Sequence, residues 1–264
     1  MTEKNVIMAS VINAYNTIAP FYGLFTSPYD DQMEANFILT YALRAGAALD
    51  VGAGQGDLAL ALAARGVAVY CVEPAAAMRQ AILTRLANQP NLMPYLTVLS
   101  DNATDVMCQR RFPLIYMFYM FQHILDSGER QTILNNLAQH LAPGGTLLLN
   151  LWMYENLQSQ ELTLARHKSI GDITYRQYIG YNVHNSERFD VLTAYEVWFM
   201  GRCIECVAVS LPNVVLQCTE LYDQLSKAGL HVRREYAGYD WAPFCNQPGL
   251  WIIEATRNQG DEYG

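Results

Sequence analysis

Ala48-Leu49-Asp50-Val51-Gly52-Ala53-Gly54-Gln55-Gly56 is the stretch on which the fold turns. An apolar run closes on Asp50, three glycines follow at alternate positions, and a helical pattern runs from Asp57 to Arg65. That order reads as a buried strand, a tight turn and a helix N-terminus in one piece. Glycine is needed where the backbone takes φ > 0 or where a ligand touches the main chain. The unpaired N–H groups of a helix start favour an electron-rich ligand group. A nucleoside-like ligand across the turn is therefore expected.

Two common nucleotide loops do not fit. The dinucleotide fingerprint G-x-G-x-x-G would need its third glycine where Asp57 stands. A phosphate loop of the form G-x-x-x-x-G-K-[ST] is absent. Downstream, Val67–Val72 reads as a second strand closing on Glu73. An acid about twenty residues past such a turn can accept from both ribose hydroxyls. A third apolar run, Leu96–Ser100, ends at Asp101. Phe112-Pro113-Leu114-Ile115 opens a fourth strand that runs through Phe118 towards Gln122-His123-Ile124. Leu141-Ala142-Pro143-Gly144-Gly145-Thr146 is a turn before a fifth strand, Leu147–Trp152.

The D-x-G-x-G-x-G form at 50–56 resembles motif I of the class I S-adenosylmethionine-dependent methyltransferases. The fourth strand resembles the family's F-D-L-V strand with its terminal histidine, with Pro113 in place of the aspartate. Leu141–Gly145 resembles its L-x-P-G-G turn. The resemblance covers residues 48–152 and resumes at about 219–257. Near the N-terminus, Tyr15-x-x-Ile18-Ala19-x-x-Tyr22 is similar to the Y-x-x-x-A-x-x-Y-D opening of small-molecule N-methyltransferases that act on amino sugars and glycine. Gly23 replaces the aspartate, so any role of that acid is left open.

The resemblance implies a Rossmann-like α/β fold: a seven-stranded, mostly parallel sheet with a reversed last strand, N-terminal helices and an inserted antiparallel β cap. The implied division is an N-terminal helical lid at 1–45, a cofactor-binding core at 46–152 and 219–257, and a substrate cap at 153–218. It implies S-adenosylmethionine as cofactor and S-adenosylhomocysteine as product. Gly52, Gly54 and Gly56 form the turn, with Asp50 organising it or meeting the cofactor ammonium. Glu73 takes the ribose hydroxyls, Pro74 and Met78 flank the adenine, and Asp101, Asn102 and Ala103 meet the adenine edge. The Phe118 carbonyl meets the ammonium. His123 is the base candidate and Tyr15 its neighbour at the sulfonium. Tyr22, Trp152, Tyr154, Tyr178 and Trp198 are the candidate substrate residues. Each has a plainer reading that stays open: Glu73 as a helix-start acid, Met78 and the aromatic rings as core filler, Asp101 as a cap, and His123 as pocket lining.

Residues 46–152 alternate strand and helix five times, which requires a parallel sheet covered on both faces. From 4 to 44 the pattern is helical, with a turn at Ser27-Pro28 and Phe37, Ile38, Tyr41 and Ala42 as an inward stripe. Between 153 and 218 the β-branched and aromatic runs Ile173–Val183 and Asp190–Val209 read as antiparallel strands turning at Asn185-Ser186 and Gly201. Leu221–Ala228 is a last helix, and His231–Tyr236 and Leu250–Ala255 are the final strands, before a polar tail at 257–264.

The 264 residues carry a net charge of −8 and 52% hydrophobic residues. An acidic chain of this kind disfavours a nucleic-acid partner, and no run is long enough for a membrane span. Without a signal-peptide pattern, a reducing cytoplasm is expected for the six cysteines. On an extended strand Cys203 and Cys206 would face opposite sides, so no metal site is expected. The expected partner is a small-molecule acceptor, methylated on nitrogen or oxygen, with nitrogen preferred from the N-terminal resemblance. A homodimer is open. Cyclisation or rearrangement with the same cofactor, or a non-catalytic cofactor-binding module, are the alternatives on this fold.

Overall fold

Ala47–Val51 forms β1 and is buried along its whole length, as an apolar strand covered on both faces must be. It is the centre of the molecule, a computed structural model that describes residues 3–25 and 28–257. Ser27 of the expected turn and residues 258–264 of the tail lie outside the described residues. Helices α1 (Glu3–Tyr22) and α2 (Pro28–Ala45) precede β1. After it come α3 (Asp57–Ala63), β2 (Ala68–Val72), α4 (Ala76–Ala87), β3 (Leu96–Leu99) and β4 (Phe112–Met117). A short 3-10 turn, Phe121–His123, leads to α5 (Ser127–His140) and β5 (Leu141–Met153). Four long strands follow: β6 (Gln160–Ile170), β7 (Ile173–Val183), β8 (Arg188–Phe199) and β9 (Arg202–Val214). The chain closes with α6 (Cys218–Lys227), β10 (Leu230–Tyr236) and β11 (Gly249–Arg257).

The main sheet has seven strands in the order β10-β11-β5-β4-β1-β2-β3. β1 to β5 run parallel, and β11 is antiparallel to both its neighbours, β5 and β10. The reversed strand is thus β11, as the fold class implies. One sheet face packs Ile133, Leu134 and Leu137 of α5 with Leu221 and Leu225 of α6. The other packs Phe37 and Ile38 of α2, Ala59 and Leu62 of α3, and Ile82 and Leu86 of α4.

The expected alternation breaks once. Between β3 and β4 no helix forms; Asn102 and Asp105 make an isolated bridge, and Asp101 Oδ2 accepts from the Met107 N–H at 3.0 Å. Asp and Asn side chains bond nearby backbone groups in this way and so compete with a helix. β5 also starts earlier than expected, at Leu141, directly after α5.

The second sheet is the antiparallel meander β6-β7-β8-β9. β6 was not expected, because Gln160–Ile170 is exposed along its length and carries no apolar alternation. The face of β8 and β9 turned to the body of the molecule seats α1: Val11 and Ala14 pack on Leu211, and Ile18, Phe21 and Phe25 on Tyr195 and Val197. On its other side α1 packs Ala19 against Ala75 and Met78. α1 is therefore held between the small sheet and the start of α4, above the C-terminal ends of β1, β2 and β4.

A β-bulge alters the cysteine geometry. Val197 pairs with Glu205 but Trp198 with Cys203, so Ile204 is the extra residue. Cross-strand partners point to the same side. Cys203 opposite Trp198 and Cys206 opposite Glu196 consequently share one face, against the expectation for a regular strand. Among the described residues, no cluster of three or more His, Cys, Asp or Glu side chains gathers to hold a metal. No described helix is long and apolar enough to cross a membrane.

Candidate active site

The three glycines of the turn all lie in the left-handed region, at φ 81° for Gly52, 54° for Gly54 and 77° for Gly56. A side chain at any of them would be strained. The N–H groups of Gly52 and Ala53 donate to the Val72 carbonyl at 2.8 and 3.2 Å, which ties the turn to the end of β2. A Cβ added at Gly54 would meet nothing within 4 Å, so its main chain is open to the cavity. A Cβ at Gly56 would meet Ile82 of α4 at 3.0 Å. Gly56 thus allows α3 and α4 to pack closely and does not line the cavity.

Glu73, at the end of β2, accepts from the Gly54 N–H at 2.8 Å and the Ala75 N–H at 2.7 Å. A carboxylate has about four lone-pair positions, so two remain for other donors. Burial pushes its pKa up, and the two N–H donors with the nearby Arg79 guanidinium pull it back. Arg79 also donates to the Glu73 and Pro74 carbonyls at 2.7 and 2.8 Å, which fixes the segment. Asp50 is buried under the turn, and burial drives its carboxyl up to about 8, against the contact from Tyr116. The buried Tyr116 hydroxyl leans on Asp50 without reaching good hydrogen-bond geometry.

His123 is 8% exposed. Its Nδ1 lies 2.9 Å from the Pro212 carbonyl of β9, which can only accept, so Nδ1 carries the proton. In the neutral ring Nε2 then holds the lone pair and accepts from the Tyr15 hydroxyl, also at 2.9 Å. Burial holds the His123 pKa below its ordinary value, partly offset by the bond to Pro212. Burial and neighbouring Tyr22 push the Tyr15 phenol well above the usual range, so it is a neutral hydroxyl. The Tyr15 and Tyr22 rings meet edge to face at 6.1 Å.

These groups wall one cavity of about 800 Å³, within the size of sites for small ligands, about 300–1,000 Å³. It brings together Asp50, Gly52, Gly54, Glu73, Pro74, Met78, Phe118, His123, Tyr15 and Tyr22 of the expected residues. The cavity does not reach Asp101, Asn102 or Ala103. Trp152, Tyr154, Tyr178 and Trp198 also lie off it. Tyr178 and Trp198 sit on the outward face of the small sheet, where both donate to Glu196, at 2.8 and 2.6 Å, and Arg176 covers the Trp198 ring. Tyr154 packs on Phe189, and Trp152 is 48% exposed. The inward positions of β6, β7 and β8 supply Arg166, Gln177 and Tyr195 instead.

Several residues of the site carried no motif. Gln122 bonds the main-chain N–H and carbonyl of Trp152 and, at 3.3 Å, the Val214 carbonyl, so it fastens the His123 turn to β5 and β9. Gln55 reaches from the glycine turn to the Ala19 carbonyl at 2.6 Å. Asn16 of α1 accepts from the Ala77 N–H at 2.9 Å and so caps α4 from another helix. From α2, Glu34 and Gln32 reach the wall.

Residues 48–145 match the family model of a methyltransferase domain. No curated protein matches the sequence. Among solved structures, the CcbJ methyltransferase of Streptomyces caelestis superposes with a TM-score of 0.77 at 18% identity, over 93% of this chain and 98% of that one. CalS10 of Micromonospora echinaspora, an amino pentose methyltransferase solved with S-adenosylmethionine, gives 0.68 at 18%, over 91% and 95%. The sugar N-methyltransferase KedS8 of a Streptoalloteichus species gives 0.69 at 15%, over 87% of each chain. With the parallel sheet, the reversed β11 and the glycine turn, this chain has the class I, Rossmann-like fold of the S-adenosylmethionine-dependent methyltransferases, and its residues 48–145 match a methyltransferase domain.

Proposed function

We propose that this protein transfers the methyl group of S-adenosylmethionine to a nitrogen of a small-molecule acceptor. The observation that carries the reading is the Tyr15–His123 pair. A phenol donates to an imidazole lone pair at 2.9 Å in the wall of the cavity that the glycine turn opens onto.

The residues present fit the cofactor. Gly54 leaves the main chain open, Glu73 keeps acceptor positions for two hydroxyls, and Pro74, Ala75 and Met78 give an apolar wall for a purine. The electron-rich Tyr15 and Tyr22 rings suit a sulfonium. Bound S-adenosylmethionine supplies a methyl carbon already activated for displacement. The protein holds the acceptor in line and excludes water, with α1 as the lid and the small sheet as the cap.

The proton of the acceptor passes to the Tyr15 oxygen as the Tyr15 proton passes to His123 Nε2. The Pro212 carbonyl, accepting from Nδ1, steadies the resulting imidazolium. Asp101–Ala103 stay candidates for the adenine edge, and Tyr22 for the acceptor. Nitrogen is preferred from the N-terminal resemblance and because two neighbours on this fold are named for an amino pentose and for sugar N-methylation.

The test is calorimetry with S-adenosylhomocysteine, followed by transfer of labelled methyl to a panel of small amines. His123→Ala should lower kcat by about 10²- to 10⁴-fold and leave product affinity within about threefold. Equal loss of both would remove His123 from proton transfer. A folded protein that binds neither cofactor nor product would remove the whole reading.

A further inference from the structure

Glu34 is an acid that the proton transfer above does not use. It comes from α2, is 8% exposed and stands in the cavity wall with Asp50, Gly52 and Phe118. It is close enough to Asp50 and Tyr22 to act on both electrostatically. Tyr239 donates to Glu34 Oε1 at 2.8 Å. Tyr239 is itself held on both sides: Asn150 Nδ2 donates to its hydroxyl at 2.9 Å, and the Tyr119 hydroxyl lies at 2.6 Å. The Tyr239 ring packs on Phe118, centroids 6.1 Å apart. Asn150 Oδ1 accepts from the Tyr119 N–H at 2.5 Å, which holds Tyr119 in the left-handed region at φ 57°. This network sets one Glu34 oxygen, by its bond from Tyr239, in the cavity wall beside Phe118.

The competing acid at this end of the cavity is Asp50. It lies deeper, 4% exposed beneath the glycine turn, where burial drives its carboxyl up to about 8.

Resting on the cofactor reading above, we propose that Glu34 receives the α-ammonium group of the cofactor's methionine moiety, and that Tyr239 and Asn150 are the positioning residues that hold its carboxylate. The acid wall of the cavity then matches the head group of the cofactor. The acceptor is left to the lobe of Tyr22, Arg166, Gln177 and Tyr195.

Three ligands separate the possibilities by calorimetry. S-Adenosylhomocysteine has the ammonium, its deaminated analogue keeps only the carboxylate, and 5′-methylthioadenosine lacks both. Glu34→Gln should weaken S-adenosylhomocysteine by roughly 10- to 100-fold, as loss of a hydrogen bond to a charged group does. It should leave the other two within about twofold. Tyr239→Phe, which keeps the ring packing, should give a smaller loss confined to S-adenosylhomocysteine. Equal weakening of all three ligands in either variant would make the network structural and overturn the proposal. Unchanged S-adenosylhomocysteine affinity in Glu34→Gln would overturn it too. If the wild-type protein binds none of the three, the cofactor reading itself falls, a different outcome from either.

Discussion

His123 and Asp50 are both buried and both kept neutral, and their effects on pH run in opposite directions. The His123 pKa lies below its ordinary 6.5, so the lone pair on Nε2 survives into mildly acid solution. The acid limb of kcat against pH should therefore have its midpoint below 6.5; a midpoint above 7 would mean that another group titrates. For stability, the unfolded chain protonates this histidine first, so the folded state loses ground as pH falls from 6.5 towards the lower folded value. Asp50 does the reverse. Its carboxyl ionises near 3.8 when unfolded and near 8 when folded. The stability that comes from keeping it neutral is complete below 3.8 and is lost as pH rises to about 8. Asp50→Asn mimics the neutral acid. Melting curves should show the variant equal to wild type at pH 4 and more stable at pH 8. A deficit of the same size at both would contradict the buried-neutral account. The turn above Asp50 was legible because left-handed backbone admits few residues but glycine. Glu34 and Gln122 were not, because what they do depends on partners distant in sequence, such as Tyr239 and Val214.

Among the elements, α5 shows how the His123 turn is anchored. Asp126 accepts from the Glu129 N–H at 2.8 Å and caps the helix. Arg130, one turn later, is almost wholly buried and donates to the Ile124 and Leu125 carbonyls at 2.6 and 3.1 Å. It also pairs with Glu220 of α6, whose side chain is 37% exposed. Removing a partner from a buried pair costs about 3–5 kcal/mol, and the exposure of Glu220 places this one at the lower end. Arg130→Met should lower the unfolding free energy by about 3 kcal/mol, whereas Glu220→Gln should cost about 1 kcal/mol or less. Denaturant unfolding of both variants checks the ranking; equal losses would show that the carbonyl bonds contribute little. Elements of this kind were legible in outline, since α5 has an acid cap, an apolar stripe and a Pro-Gly-Gly stretch after it. The small sheet was less so. Its aromatic strands were visible, but the side each ring faces depends on register, and one residue of shift reverses it. Tyr178 and Trp198 share the outward parity while Tyr195 and Gln177 share the inward one. The bulge at Ile204 resets that parity for Cys203, and nothing in the composition of β9 marks it.

Across the whole molecule, α1 is the part on which site and fold depend together. It touches the small sheet through Phe21 and Tyr195, whose rings stack 5.4 Å apart. It meets the glycine turn through Gln55 and the start of α4 through Asn16, and it places Tyr15 against His123. Among the described residues, neither cluster on the sheet's two faces includes one from α1, so the core of the seven-stranded sheet is built without them. Local opening should therefore release α1 from its seat while the sheet stays folded. A ligand that touches Tyr15 and the glycine turn together must close that opening. Hydrogen exchange should show S-adenosylhomocysteine slowing amides of residues 9–22 far more than those of β1 or β4, which are already slow. At a hundredfold excess over Kd, one binding site adds about 2.7 kcal/mol to the folded state. For a chain of this length that raises Tm by about 5–10 °C. Gly52→Ala would oppose the same coupling. Its added Cβ meets Met120 at 3.1 Å and sits at φ 81°, so the turn must shift under the ligand. That variant should keep most of its unliganded stability yet lose most of the ligand-induced rise in Tm and the slowing in α1. Slowing in α1 that persists undiminished in Gly52→Ala would separate the helix from the turn and break their coupling.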